Sequence, residues 1–133
     1  MSGRWLIKSE PSSYGWDDLV RDGETLWDGV RNAQAAGFLR AMRTGDPVIF
    51  YHSGAGAAAV GLAEVTGEAF PDPKDETGRF VAVRVKAVRA LAAPVLLSAM
   101  KADARLANMV MLRQSRLSVS PVSETEWGAI IDE

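Results

Sequence analysis

The sequence predicts an α+β domain: a small barrel-like sheet of about five strands with flanking helices. Three observations predict it. Strand-like segments at 47–53, 59–70 and 79–89 follow one another with only loops between them, which favours antiparallel pairing. Helix-like segments are inserted before and after this run. At 133 residues the chain, taken as one domain over 1–133, is long enough to bury a core. Closing the sheet on itself is the expected arrangement because it removes exposed edges.

The elements follow in order. Residues 4–9, Arg-Trp-Leu-Ile-Lys-Ser, read as a first strand ended by Glu10-Pro11. Ser12 to Gly15 reads as a turn, and Trp16 to Arg21 as a short helix stopped by Asp22-Gly23. Asn32 is placed to cap a helix through roughly Met42, with Leu39 and Met42 three apart on one face beside Phe38. Thr44-Gly45-Asp46 is a turn into the strand Pro47–Ser53. A small-residue connection, Gly54 to Ala58, leads to the strand Ala59–Phe70. Pro71-Asp72-Pro73 opens a hydrophilic loop through Gly78. In the strand from Arg79 to Arg89, Val81, Val83 and Val85 should face inward, and Ala82, Arg84 and Lys86 outward. Leu96 to Ala102 reads as a short helix and Arg116 to Val119 as a last strand. Ser123-Glu124-Thr125-Glu126 forms a capping box for a closing helix with Trp127, Ile130 and Ile131.

Composition bounds the function. Hydrophobic residues at 47% and charged residues at 24% are ordinary for a globular domain. No apolar run approaches the ~20 residues of a membrane span, and residues 1–9 lack a secretory signal, so a cytoplasmic location is expected. The chain has no Cys and one His, which leaves no disulfide frame, no thiolate chemistry and no metal-ligand set. The net charge of −2 argues against gripping a duplex through phosphates alone. Nucleic-acid contact, if made, must be local.

The segment Trp27-Asp28-Gly29-Val30-Arg31-Asn32 carries the most chemistry. It places a flat aromatic, a carboxylate, a guanidinium and a carboxamide together with no apolar periodicity. Trp27 is suited to stack a planar ring, and Asn32 to read its edge. Trp5 and Trp127 read as core, and Trp16 as either packing or cleft lining. Lys8, Ser9 and Glu10 add a cation, a hydroxyl and a carboxylate at a strand end, and Arg113 to Ser118 supply further donors. His52 has no Ser-His-Asp order around it, so it reads as a structural or binding residue rather than a base. The paired carboxylates Asp17-Asp18 and those of 72–76 read as solvated surface.

These pieces together resemble the EVE domain of the PUA-like superfamily. The matching stretches are Trp5-Leu6-Ile7-Lys8-Ser9-Glu10-Pro11, Trp27 to Asn32, Phe50-Tyr51-His52-Ser53 and Arg116-Leu117-Ser118-Val119. Leu39 to Met42, Glu68 to Asp72 and Pro121-Val122 are similar as well. The likeness spans nearly the whole chain in order. It implies a PUA-like pseudobarrel related to YTH domains and a stand-alone bacterial protein. It also implies a non-catalytic reader of a flipped modified base, with modified cytosine in DNA first in line. The implied pocket draws on Lys8, Ser9, Glu10, Trp27, Asn32, Tyr51, His52, Ser53 and Arg116. No cofactor or metal is expected; the expected partners are nucleic acid carrying a modified base and an effector protein such as a nuclease. Two departures stand out: Ala33 where the family often has an aromatic, and Leu96 where it often has a Thr cap. The competing readings are an RNA-binding accessory factor in tRNA or rRNA modification, and a small enzyme on a nucleotide-like ligand using His52 with Glu10 or Glu64.

Overall fold

The computed structural model describes residues 3–131. Six strands form one sheet: β1 (Trp5–Ser9), β2 (Glu24–Trp27), β3 (Pro47–His52), β4 (Ala58–Pro71), β5 (Val81–Leu96) and β6 (Val119–Pro121), in the order β2-β5-β4-β3-β1-β6. β3, β4 and β5 form the expected antiparallel run. β1 joins it in parallel with β3, pairing Trp5 with Val48 through Ser9 with His52.

The ladder is open, with β2 and β6 at its two ends. Yet Trp27 of β2 and Val119 of β6 pack in one hydrophobic cluster with Phe50, Val65 and Val83. A flat six-stranded sheet would hold its edges roughly 24 Å apart at the usual strand spacing. The sheet is therefore curled around its own core, as a pseudobarrel. Four register shifts along β4 and β5 supply the bends. Helix α3 (Ala33–Ala41) packs on β6, β4 and β5 and helps cover the open side.

Alternation along β1 and β3 divides the core in two. Trp5, Ile7, Val48 and Phe50 face the inside of the curl. Leu6, Ile49 and Tyr51 face outward, under α4 (Leu97–Ala102), α5 (Val110–Arg113) and α6 (Glu124–Ile131), with Met100, Met109 and Ile130. One close approach fixes an interior glycine. A Cβ on Gly61 would lie 2.5 Å from the Trp16 ring, so β4 carries no side chain where α2 (Trp16–Asp22) crosses it.

Several expectations are corrected. Residues 11–14 form a helical turn, α1, not a loose turn: Pro11 pre-sets its φ, and the Ser13 and Tyr14 amides donate to the Glu10 carbonyl. Strand β2 was not foreseen. It is four residues long, and pairing with β5 rather than local pattern makes it a strand. The last strand starts at Val119, because the Leu117 amide donates to the Gln114 carbonyl and holds Arg116 in a turn. Ala82 is buried with Val83 and Val85, so alternation there separates two covered faces rather than core from solvent. The caps read from sequence are present. Asn32 Oδ1 accepts from the Ala35 amide at 2.9 Å, and Ser123 and Glu126 exchange both capping-box bonds. Leu96 stands at the N-cap of α4 without a side-chain hydrogen bond.

Candidate functional site

Trp27 ends β2 and stands half-buried between two adjoining clefts. One, about 440 Å³, is lined by Ser9, Tyr14, Thr25, Leu26, Trp27, Asp28 and Lys74. The other, about 420 Å³, is lined by Lys8, Ser9, Trp27 to Asn32 and Ser118. Both volumes fall within the usual range for small-ligand sites. Two rings brace the indole edge-on: Tyr14 at 6.1 Å between centroids and Phe50 at 5.6 Å. The indole N–H has no hydrogen-bond partner among the described residues, which leaves it as a donor.

Directly after Trp27 the chain turns through Gly29, whose φ of 77° is one that side-chain-bearing residues rarely adopt. Asp72 fixes this turn. Its carboxylate side chain is fully buried and accepts from the Gly29 amide at 2.8 Å, Arg31 Nη1 at 2.8 Å and the Lys74 amide at 2.7 Å. Burial pushes the Asp72 carboxyl up, but the bonds from Arg31, Gly29 and Lys74 outweigh it and hold the group below the usual carboxylate range. Arg31 also lies over the Phe80 ring at 5.4 Å. Lys74 Nζ approaches Asp28 at 3.4 Å. The loop expected to be solvated thus contains one buried anchor, because its acid meets two donors from the Trp27 turn and one from its own loop. Asp75, three residues on, is held down to about 2 by the Thr77 hydroxyl and nearby amides, and organises the rest of the loop.

The other predicted residues divide into four groups. Lys8, Ser9 and Asn32 line the second cleft with Trp27. Tyr51 and Ser53 line a smaller cavity of about 220 Å³ that shares Lys8 with the second cleft. Arg116 lines a shallow cleft with Asn32, Gln34 and Arg113. Glu10 and His52 are absent from the lining of all four. Glu10 is exposed and gives its carbonyl to α1. His52 Nε2 accepts the Trp16 amide at 2.9 Å, which caps the start of α2, and its ring packs edge-on against Phe50. Burial lowers the His52 pKa and favours the neutral form that this bond needs. The sequence reading missed Tyr14 and Thr25. Tyr14 lies in a turn of helix with no visible partner in sequence, and Thr25 in the strand that only pairing creates.

Of the remaining tryptophans, Trp5 and Trp16 are core and Trp127 packs partly buried on the outer cluster. Among the described residues no group of His, Cys, Asp or Glu could hold a metal, and no helix is long and apolar enough to cross a membrane.

A curled PUA-like sheet with an aromatic-walled cleft at the end of one strand defines the class as a small α+β pseudobarrel domain. A family model for the EVE domain matches residues 3–133, and the chain belongs to that family. It is 31% identical to human thymocyte nuclear protein 1, over 98% of this chain and 73% of that protein. The solution structure of Rpa0253 from Rhodopseudomonas palustris superposes with a TM-score of 0.92 at 47% identity, covering 98% of this chain and 91% of that one. Human THYN1 protein in complex with 5-methylcytosine-containing DNA superposes with a TM-score of 0.89 at 32% identity, covering 98% and 96%. A yeast YTH domain, from Zygosaccharomyces rouxii, shares the fold at a TM-score of 0.64 and 18% identity.

Proposed function

We propose that this protein is a non-catalytic reader that takes a flipped modified base, foremost a modified cytosine in DNA, into the cleft beside Trp27. The observation that carries the reading is the state of Trp27. It is half-buried, held edge-on by Tyr14 and Phe50, open to two clefts, and its N–H is unpaired. Extruding a base costs a few kcal/mol, and stacking on one aromatic returns roughly 1–3 kcal/mol. A buried methyl adds only about 0.8 kcal/mol. Selectivity therefore needs hydrogen bonds to the base edge. Ser9, Thr25, Asp28 and the Asn32 amide are the polar groups at hand. Asn32 Oδ1 is engaged by the Ala35 amide, so its NH₂ is the part left to meet a base.

The relatives support this reading, since one has been solved with 5-methylcytosine-containing DNA. The state of His52 favours binding over turnover. Its Nε2 lone pair already accepts the Trp16 amide, Glu10 is exposed, and Glu64 pairs with Lys86 at 3.8 Å. Bacterial origin, a cytoplasmic location and an effector protein such as a nuclease belong to the same proposal. The test is a titration of short single strands carrying one cytosine, 5-methylcytosine or another modified base, with the RNA equivalents alongside. A modified DNA strand should bind most tightly. Equal binding of modified and plain strands would sink the reading, and preference for RNA would move the protein to the accessory-factor class.

A further inference from the structure

The smaller cavity beside Lys8 offers a hydroxyl with no protein partner. Tyr51 is 2% exposed, yet its hydroxyl makes no hydrogen bond among the described residues. The hydroxyl is not among the fully enclosed unpartnered side-chain atoms, so it keeps access to its surroundings and stays available as a donor. Here Tyr51 lines a cavity of about 220 Å³ together with Lys8 and Lys101. Lys8 Nζ donates to the Ser115 carbonyl at 2.7 Å and lies 6.0 Å from the centre of the Tyr51 ring. A carbonyl uses one of its three donors at most once, so others remain. Lys101 is exposed and ends α4. Leu97 and Met111 supply an apolar wall.

Two cations and a hydroxyl donor around a small concavity suit an oxyanion, and the apolar wall suits the carbon skeleton attached to it. Lys8 also lines the Trp27 cleft, so the two sites share that side chain. We infer that this cavity is a phosphate site, holding a phosphate group of the same strand whose base is read at Trp27, with Tyr51, Lys8 and Lys101 as its donors. The inference rests on the proposed base reading for the source of the phosphate, though not for the site's chemistry. Burial depresses the Lys8 ammonium and raises the Tyr51 phenol, and an arriving dianion or monoanion would favour the charged lysine. Net charge is −2, so a built phosphate site of this kind would give a locally attractive spot that the whole chain lacks.

The test titrates the protein, observed by NMR, with 5-methyl-2′-deoxycytidine, its 3′- and 5′-monophosphates, and inorganic phosphate. Wild type is compared with Lys101→Gln and Tyr51→Phe. One of the monophosphates should bind about three- to tenfold more tightly than the nucleoside, in line with one hydrogen bond of ordinary net strength at a solvent-accessible site. Lys101→Gln should lose that gain while binding the nucleoside as before, and Tyr51→Phe should lose part of it. Because the hydroxyl bonds no protein group, the melting temperature of Tyr51→Phe should stay close to that of wild type. If inorganic phosphate perturbs Tyr51 and Lys101 but no nucleoside binds, the phosphate site stands and the base reading falls. If the nucleoside binds and phosphate adds nothing, or adds the same in both variants, the phosphate site is overturned and the base reading survives.

Discussion

Trp5 and Trp27 each stand on a strand near a buried aspartate, and they are used in opposite ways. Trp5 is 7% exposed, and its indole N–H donates to Asp46 Oδ2 at 2.9 Å. Asp46 also accepts the Arg43 amide, so the carboxylate ties the tryptophan to the turn before β3. Asp72 instead takes the backbone of Gly29 and the side chain of Arg31, next to Trp27, and leaves the indole alone. In the first region the polar atom of the ring is satisfied inside the protein, as a core position requires. In the second the backbone is locked and the ring's donor stays available. The difference separates a tryptophan that holds the fold from one left open to two clefts.

The comparison can be broken by mutation. Trp5→Ala should have the largest effect, about 3–5 kcal/mol of stability, read by urea denaturation, with the affinity of the remaining folded protein preserved. Trp27→Ala should do the reverse. It should cost on the order of tenfold or more in affinity for a modified strand and much less stability than Trp5→Ala, because the ring is already half-exposed. An exposed control, Arg84→Ala, should change mainly the salt dependence. If Trp27→Ala proved the more destabilising of the two and left binding intact, their roles would have to be exchanged.

Asp72→Asn comes next. It should keep the fold but loosen the turn at Gly29, lowering affinity on the order of fivefold, the equivalent of about 1 kcal/mol. Amide exchange at 29–31 should quicken. The sign of the pH effect follows from the depressed carboxyl. The lock contributes fully above the ordinary carboxylate pKa and is lost as pH falls through the lower folded value. Binding should therefore hold through pH 5 and fail in more acidic solution, earlier in a variant that lacks Arg31. A loss already near pH 6 would point to another group.

His52→Ala should have the smallest effect, about 0.5 kcal/mol, the low end for a neutral hydrogen bond, confined to the start of α2. Because the folded His52 pKa is depressed, this contribution is present above the ordinary value of 6.5 and is lost as pH falls below it. Exchange at the Trp16 amide should report it. A tenfold loss of base affinity in His52→Ala would return this residue to the binding site.

The sequence shows the two regions unequally well. β1 and β3 follow from short apolar runs bounded by turn residues, the Val83/Val85 face of β5 from alternation, and the Asn32 and Ser123 caps from side chains that bond within four residues. Trp27 stood out by composition alone. Its supports did not, because Tyr14 meets it across a turn of helix and Asp72 bonds Gly29 from 43 residues away. His52 was placed with the pocket by resemblance, whereas its nitrogen turns to the Trp16 amide 36 residues distant. The acid of a hydrophilic loop gives no local sign that it will be buried.

By itself, then, the sequence determined the α+β class, the antiparallel run from Pro47 to Arg89, the helix caps and the aromatic-polar segment at Trp27. These depend on periodicity and on bonds between near neighbours, which any stretch of chain carries with it. Tertiary structure alone decided that β2 is a strand, that the sheet curls so that its two end strands share one core, and that Asp72 rather than His52 anchors the site. Those outcomes depend on which donors and acceptors meet once distant segments pack, and a buried polar group takes the partner that the fold brings to it.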